Sequence, residues 1–431
     1  MSGEKPREIA LRILRRGAGG DFVEDRLEAE LAQAQLSAPD RHLCQELAYG
    51  LVRWQAALDW LIARKTDPRP QKPMLQNLLR LGLYQIFWLD RIPDHAAVHE
   101  TVELARQHGF APQAGFVNAI LRGYLREADA TRRLLAELKQ TQPHLGYSHP
   151  QWLVARWQAR WSADRAARLM EWNNTPPKSF ARVNTLKADP GKLLAQWRDE
   201  DVEYDFVRRD WLDENAVFEL KSHAPLSRLP SFQQGLFYVQ DPSTLLAVRE
   251  LDPQPGQSVL DLCAAPGGKL TALAQLMRNE GRLVAHDTTP DRLKLIEENC
   301  ARLGVTGIQT LLPSTLGLQP PASFDRILLD APCSNTGVMR RRVDLRWRLS
   351  AKEIGRLRAT QLDLLHQAAP LLKPAGILVY STCSLEPEEN SEVVNEFLAG
   401  HSDFRLERSR ELLPFEDAVD GTFAARLVKS G

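Results

Sequence analysis

The apolar positions follow three different rhythms along the chain. From Pro6 to about Leu125 they recur at helical spacing. Leu75, Leu78, Leu79, Leu83, Ile86 and Phe87 follow the i, i+3, i+4, i+7 pattern of an amphipathic helix, and Phe116, Val117, Ile120, Leu121 and Tyr124 repeat it. Breaks at residues 67–73 and around Pro93 and Pro112 separate the helices, which predicts a compact bundle. Residues 128–148 keep helical propensity but end in QPHLGYSHP, a turn-rich stretch expected to be a linker. Residues 150–251 are mixed: an amphipathic start at Trp152, Leu153, Arg156 and Trp157, then PPKSFARVNTLK and short strand-like pieces between prolines. From Pro255 onward, apolar runs at 258–262, 283–286, 308–312, 326–329 and 377–381 alternate with helical stretches, the pattern of βαβ units in a parallel sheet. The expected organisation is an all-α bundle over 1–140, a small α+β segment over 148–250 and an α/β Rossmann-like domain over 251–431.

Composition narrows the class without choosing a function. A chain of 431 residues needs more than one core. Hydrophobic residues at 43% and charged residues at 26% are ordinary for a globular protein, and no apolar run is long enough to span a membrane. The start, MSGEKPREIA, carries charge where a signal peptide carries an apolar core, so a cytoplasmic location is expected. Basic and acidic residues balance at 55 each, so a nucleic-acid surface has to be local. The strongest local run spans 340–358, where eight basic residues including Arg340, Arg341 and Arg342 outnumber two acidic ones. A solvated helix face would show the same run. The five cysteines are widely spread, with no CxxC pair and no histidine at zinc spacing, so neither a disulfide framework nor a metal site is expected.

Ligands of parallel α/β sheets bind at the carboxyl ends of the strands, and the chemistry-bearing residues fall there. The first strand runs into DLCAAPGGK, residues 261–269, and then a helix. Its small residues let backbone approach a ligand, and the helix amino terminus offers free N–H groups to a carboxylate or phosphate. Asp287 closes the second strand, where an acidic side chain commonly takes ribose hydroxyls. The loop has neither dinucleotide nor P-loop spacing, so a nucleoside carboxylate such as S-adenosylmethionine fits it better. The fourth and fifth strands deliver Cys333 and Cys383 at their carboxyl ends, with Asp330 beside the former. A lone strand-end cysteine is more often a packing residue. Two of them, in polar turns beside a cofactor loop, suggest thiol chemistry on a pyrimidine: a thiolate added to cytosine C6 makes C5 nucleophilic, and a carboxyl group near N3 stabilises the ring charge.

At these residues the chain resembles the bacterial ribosomal RNA cytosine-5 methyltransferases of the Sun type, within the wider NOL1/NOP2/Sun family. DLCAAPGGK, DAPCSNTG and STCSLEPEEN resemble its cofactor and catalytic motifs, and RVNTLK resembles its RNA-proximal motif. In the amino-terminal part, DRHLCQELAYGLVR, LLRLGLYQIFWLDRIPDHAAVHETVELAR and GFVNAILR are similar to a NusB-like RNA-binding domain. The resemblance implies a class I S-adenosylmethionine-dependent methyltransferase domain behind a NusB-like bundle, acting on small-subunit ribosomal RNA; a monomer is the default expectation. It implies Cys383 as nucleophile and Cys333 as the thiol that helps release the product, with Asp330 and Lys269 beside them. It implies cofactor contacts from Cys263, Ala264, Ala265, Pro266, Gly267, Gly268, Lys269, Asp287 and Asp330, and an RNA-proximal place for Arg182 and Asn184; the basic run beside the catalytic loop adds Arg340, Arg341 and Arg342 as expected contacts to RNA phosphates.

The chain departs from the family pattern in three places. LLPSTLG follows the third strand where an acidic adenosine contact is usual, leaving Ser314 as a weak substitute. Arg342-Val343 stands in place of His-Pro, and Thr422 in place of an aromatic. Three other protein classes fit less well. A NusB-like antitermination factor with a decayed methyltransferase domain would not need both Cys333 and Cys383. A DNA cytosine methyltransferase would need a large target-recognition insertion. A metal-dependent or dehydrogenase-type enzyme would need ligand clusters or a dinucleotide fingerprint.

Overall fold

The computed structural model describes residues 5–15, 21–66, 71–317 and 319–431. The expected break at 67–73 falls partly on residues outside that set. Two compact units emerge: Met1–Pro176 with Met339–Arg348, and Pro177–Val338 with Leu349–Gly431.

The first unit is helical, and its longest apolar helix, Pro73–Trp88, shows why. Proline opens its first turn, where a missing N–H costs nothing, and Leu78, Leu79, Leu81 and Leu83 are all buried. Gly82 lets the helix Ala114–Arg126 come close, since a Cβ there would meet Leu121 at 2.6 Å. The turn-rich stretch before Pro150 is not a linker. Ser148 is buried and its hydroxyl accepts from the Ala56 N–H at 2.9 Å, so the chain packs back on the bundle. Two more helices follow, Gln151–Arg160 and Ala163–Asn174, with Trp157 buried. The helical unit therefore reaches 176, beyond the boundary expected at 140.

The same unit contains residues 339–348, the heart of the basic run. Arg346 is fully buried. One of its terminal nitrogens donates to Ser148 O at 3.1 Å, Asn174 Oδ1 at 2.8 Å and Arg53 O at 3.3 Å, and the other to Asn173 O at 3.0 Å. Burial holds this guanidinium down to about 9, with Arg53 acting in the same direction. Trp347 Nε1 donates to Val52 O at 2.8 Å, and Val343 joins the bundle's core. Arg340 is 1% exposed, its guanidinium 4.1 Å above the Trp172 ring, and Arg342 lies 3.5 Å from Glu24. The expectation that Arg340 faces RNA is corrected: its charge is stacked inside the protein. Arg341 and Arg342 are partly exposed.

The second unit holds two sheets. Strands β1 (Ser179–Val183), β2 (Glu203–Phe206), β3 (Val217–Ser222) and β4 (Phe237–Val239) form an antiparallel sheet in the order β2-β3-β1-β4. Trp197, on the helix Pro190–Asp199, fills its core against Phe218 and Phe237. The larger sheet contains β5 (Ser258–Leu262), β6 (Arg282–His286), β7 (Ile308–Leu311), β8 (Phe324–Asp330), β9 (Leu372–Thr382), β10 (Phe404–Leu412) and β11 (Thr422–Lys429), in the order β10-β11-β9-β8-β5-β6-β7. β5 to β9 are parallel, and β10 and β11 extend the edge beyond β9 in antiparallel fashion. The five parallel strands lie where the apolar runs predict them, while the antiparallel pair was not foreseen. Strand order reverses at β5, whose neighbours are β6 and β8, so the crevice at its carboxyl end is the expected ligand position. Among the described residues no helix is long and apolar enough to cross a membrane, and no group of three or more His, Cys, Asp or Glu could hold a metal ion.

Candidate active site

The crevice begins where β5 ends. Cys263 takes a left-handed conformation at φ 61°, Gly267 follows at φ 101°, and the helix Gly268–Leu276 starts at once. A Cβ on Gly268 would meet Tyr238 at 3.0 Å, so glycine allows the loop to lie against β4. Arg182 holds this corner from β1. It is 3% exposed and donates to Gly268 O at 2.7 Å and Thr271 Oγ1 at 2.8 Å, with its guanidinium over the Tyr238 ring. Asn184 is buried too, donating to Gly235 O and Leu303 O and accepting from Gln275 Nε2, each at 2.7 Å. Expected as RNA contacts, both instead fix the framework of the cofactor loop. The motif reads the same whether a side chain meets an RNA phosphate or a backbone carbonyl, so spacing could not separate the two roles.

A cavity of about 200 Å³ lies over this corner, lined by Tyr238, Gln240, Asp261 and residues 263–266, 268, 269 and 330. Asp261 is its most telling member. The side chain is 1% exposed and neither carboxylate oxygen has a hydrogen-bond partner. Burial, and then Asp330, push it well above the usual carboxylate range. Gln240 Oε1 is also without a partner. Buried acceptors are nearly always met, so these two mark where a donor-bearing ligand belongs. The ammonium of an amino-acid-bearing cofactor supplies donors of that kind. Asp261 is not among the contacts expected from the loop DLCAAPGGK, although it is the acid at the strand end in that motif.

Asp287 is arranged differently. It accepts from the N–H of Ala265 at 2.8 Å, the N–H of Thr288 at 2.7 Å and Arg292 Nε at 2.5 Å. Burial pushes this carboxyl up, but those bonds outweigh it and leave the group below its ordinary range. Asp287 ties the loop to the end of β6 and does not line the cavity. Ser314 is exposed on the short helix Pro313–Leu316 and does not line it either.

Across the crevice, Lys269 Nζ meets Asp330 Oδ2 at 2.7 Å. Burial lowers the Lys269 ammonium, but Asp330 outweighs it and holds the group above its usual value, so lysine stays charged. Cys333 and Cys383 meet with their sulfurs 3.4 Å apart. Cys383 donates to Asn335 Oδ1 at 2.9 Å, and the Asn335 amide is oriented by donating to Cys333 O at 2.8 Å. Asn335 has φ 57°, a conformation costly for most residues yet tolerable for asparagine. Cys333 is nearly buried, and contact with the Cys383 sulfur, then burial, hold its thiol well above the ordinary range. Thr422, the departure from an aromatic, donates to Thr382 O at 2.9 Å and so braces the residue before Cys383. Elsewhere Cys44 is pushed up to about 11 and Cys263 and Cys300 to about 12, each chiefly by burial, as expected of packing thiols.

The parallel strands reversing at β5, with an unmet buried acid at their carboxyl end, suit an amino-acid-bearing nucleoside cofactor, and the class to which the chain belongs is that of S-adenosylmethionine-dependent methyltransferases. The comparisons name the family. Residues 248–428 match the model for 16S rRNA methyltransferase RsmB/F, 4–126 that for the NusB family, and 149–210 that for a ferredoxin-like domain of RsmF/B-like methyltransferases. The probable ribosomal RNA small subunit methyltransferase B of Bacillus subtilis is 37% identical, with 94% of each chain covered. The ribosomal RNA small subunit methyltransferase B of Klebsiella pneumoniae strain MGH 78578 is 36% identical, with 92% of each chain covered. The crystal structure of PH0851 superposes with a TM-score of 0.79 at 25% identity, covering 99% of this chain and 100% of that one. The chain belongs to the RsmB/F family of 16S rRNA methyltransferases and carries a NusB-family domain.

Proposed function

We propose that this enzyme methylates carbon 5 of a cytosine in small-subunit ribosomal RNA, with Cys383 as nucleophile and Cys333 as the thiol that assists release. The observation that carries the reading is the 3.4 Å contact between the two sulfurs, one of which bonds Asn335. The Cys383 thiolate forms a carbon–sulfur bond to cytosine C6, and a proton donated toward N3 balances the ring charge. Asp330, held by Lys269, belongs on the N3 side. Asp261 would hold the ammonium of S-adenosylmethionine, which would supply an electrophilic methyl group when bound. With the methyl carbon bonded to C5 and the cofactor released as its thioether, C5 loses its proton to a base, N3 gives back the proton it took, and the carbon–sulfur bond at C6 breaks to free Cys383. Cys333, its sulfur 3.4 Å from that of Cys383, is close enough to assist the departure of that thiol.

The alternative, an RNA-binding factor with a decayed catalytic domain, gives the paired sulfurs no work. Bisulfite sequencing of ribosomal RNA from cells with and without the gene separates the two. The proposal expects one cytosine in small-subunit RNA to lose its protection when the gene is deleted. An unchanged protection pattern would reject it.

A further inference from the structure

We infer that Glu389 is a positioning residue that sets the two reactive sulfurs against each other by holding the serine after each cysteine. The inference deepens the proposed cysteine mechanism and rests on it for its meaning. Glu389 is fully buried at the short turn Pro387–Glu389. One carboxylate oxygen accepts from the Ser334 N–H at 2.8 Å and Gln361 Nε2 at 3.1 Å. The other accepts from Ser384 Oγ at 2.5 Å and from Ser334 Oγ. Ser334 directly follows Cys333, and Ser384 directly follows Cys383.

A buried carboxylate with no cation beside it is tolerable only when its lone pairs are met by donors. Here each oxygen has two, and three of the four donors come from the cysteine loops. Because the two oxygens of one carboxylate are rigidly spaced, meeting both fixes one loop relative to the other. Asn390 continues the pattern, accepting from Thr382 Oγ1 at 2.6 Å and donating to Ser384 O at 2.9 Å, on either side of Cys383. Glu389 makes no hydrogen bond to either sulfur; its geometric hold is through the loops, and its charge also raises the Cys333 thiol.

The geometry distinguishes three substitutions. Glu389→Ala removes the acceptors. Glu389→Asp keeps the charge but retracts it by one methylene, so it cannot reach both loops. Glu389→Gln keeps the length, and its amide can donate to the two serine hydroxyls, which accept as readily as they donate, while its oxygen still serves Ser334 N–H and Gln361. Burial already favours an uncharged group at this position, which is a reason for glutamine to be accepted.

The test reads sulfur proximity apart from catalysis. Purified full-length variants are treated with diamide, which takes two hydrogens from a thiol pair and leaves one S–S bond, and the Cys333–Cys383 disulfide is followed by peptide mass spectrometry. Methylation kcat, KM for RNA and the dissociation constant for S-adenosylmethionine are measured in parallel. The expected result is disulfide formation at least tenfold slower, and kcat at least tenfold lower, in the alanine and aspartate variants. Their KM and cofactor affinity stay within twofold of wild type, and the glutamine variant stays within a few-fold on every measure. If the alanine variant does not fold, the aspartate variant is read in the same way. Wild-type disulfide rates and kcat in the aspartate variant overturn the inference, as does a glutamine variant as slow as aspartate, which would make charge the requirement. Should Cys383 prove dispensable for methylation, the proposed mechanism fails while the disulfide rates still report on Glu389.

Discussion

Residues 331–338 and 339–348 follow one another in the chain, yet they are fixed by opposite means. The first stretch carries Cys333 and is held in the α/β unit by the buried anion of Glu389. The second carries the basic run and is held in the helical unit by the buried cation of Arg346. Each charge is surrounded by neutral partners, which meet both oxygens of Glu389 and both terminal nitrogens of Arg346 but leave Arg346 Nε without one. The lesson concerns what a buried charge means. A buried charge met by several partners is a structural tie, and one met by none, as at Asp261, marks a ligand.

The comparison can be broken most forcefully at Arg346. Arg346→Ala leaves three backbone carbonyls and Asn174 Oδ1 without this donor. A loss of about 3–5 kcal/mol is expected, as for other buried charged groups that have lost a partner. Urea unfolding followed by circular dichroism checks this, and a loss below about 1 kcal/mol would mean that the stretch is held by apolar packing alone.

A smaller effect is expected at Asp261, whose role is binding. Its folded carboxyl is raised above the unfolded value by burial and then Asp330, so its contribution to stability is complete below the unfolded value and is lost as pH rises through the folded one. A bound ammonium reverses that penalty, so cofactor should stabilise the protein more as pH rises above the ordinary carboxylate range. Asp261→Asn should weaken cofactor binding by roughly ten- to thirtyfold, about 2 kcal/mol, and flatten this pH dependence. Isothermal titration at several pH values reads both, and an unaltered profile in the variant would remove Asp261 from the cofactor site.

The smallest effect is expected at Arg342, partly exposed and 3.5 Å from Glu24. Arg342→Ala should cost less than about 1 kcal/mol in the same unfolding assay, as surface ion pairs do. A cost comparable to Arg346→Ala would erase the distinction between the run's buried and exposed members.

Much of this architecture was legible because periodicity reports burial directly. The apolar runs that became β5 to β9 are covered on both faces, so they stand out in the sequence. β10 escaped notice because FRLERSREL is largely exposed between Phe404 and Leu412, and its charges hide a strand. Cys333 and Cys383 could be paired from their strand-end positions, before any distance was known. Arg182, Asn184 and Arg340 were misread for one physical reason. A guanidinium or carboxamide can meet backbone carbonyls as well as it meets phosphates, and sequence does not say which lies within reach. Glu389 is not legible inside STCSLEPEEN because, Ser384 apart, its partners come from the Ser334 loop some fifty positions away and from Gln361.

The central claim is that Cys383 attacks the base and Cys333 helps to free it, and covalent trapping tests it most directly. Cys333→Ala, Cys383→Ala and the double variant are each incubated with small-subunit RNA and S-adenosylmethionine, then resolved on a denaturing gel. The account predicts a retarded protein–RNA band for Cys333→Ala alone, since addition proceeds there and elimination stalls. A band with Cys383→Ala, or none with Cys333→Ala, would contradict it.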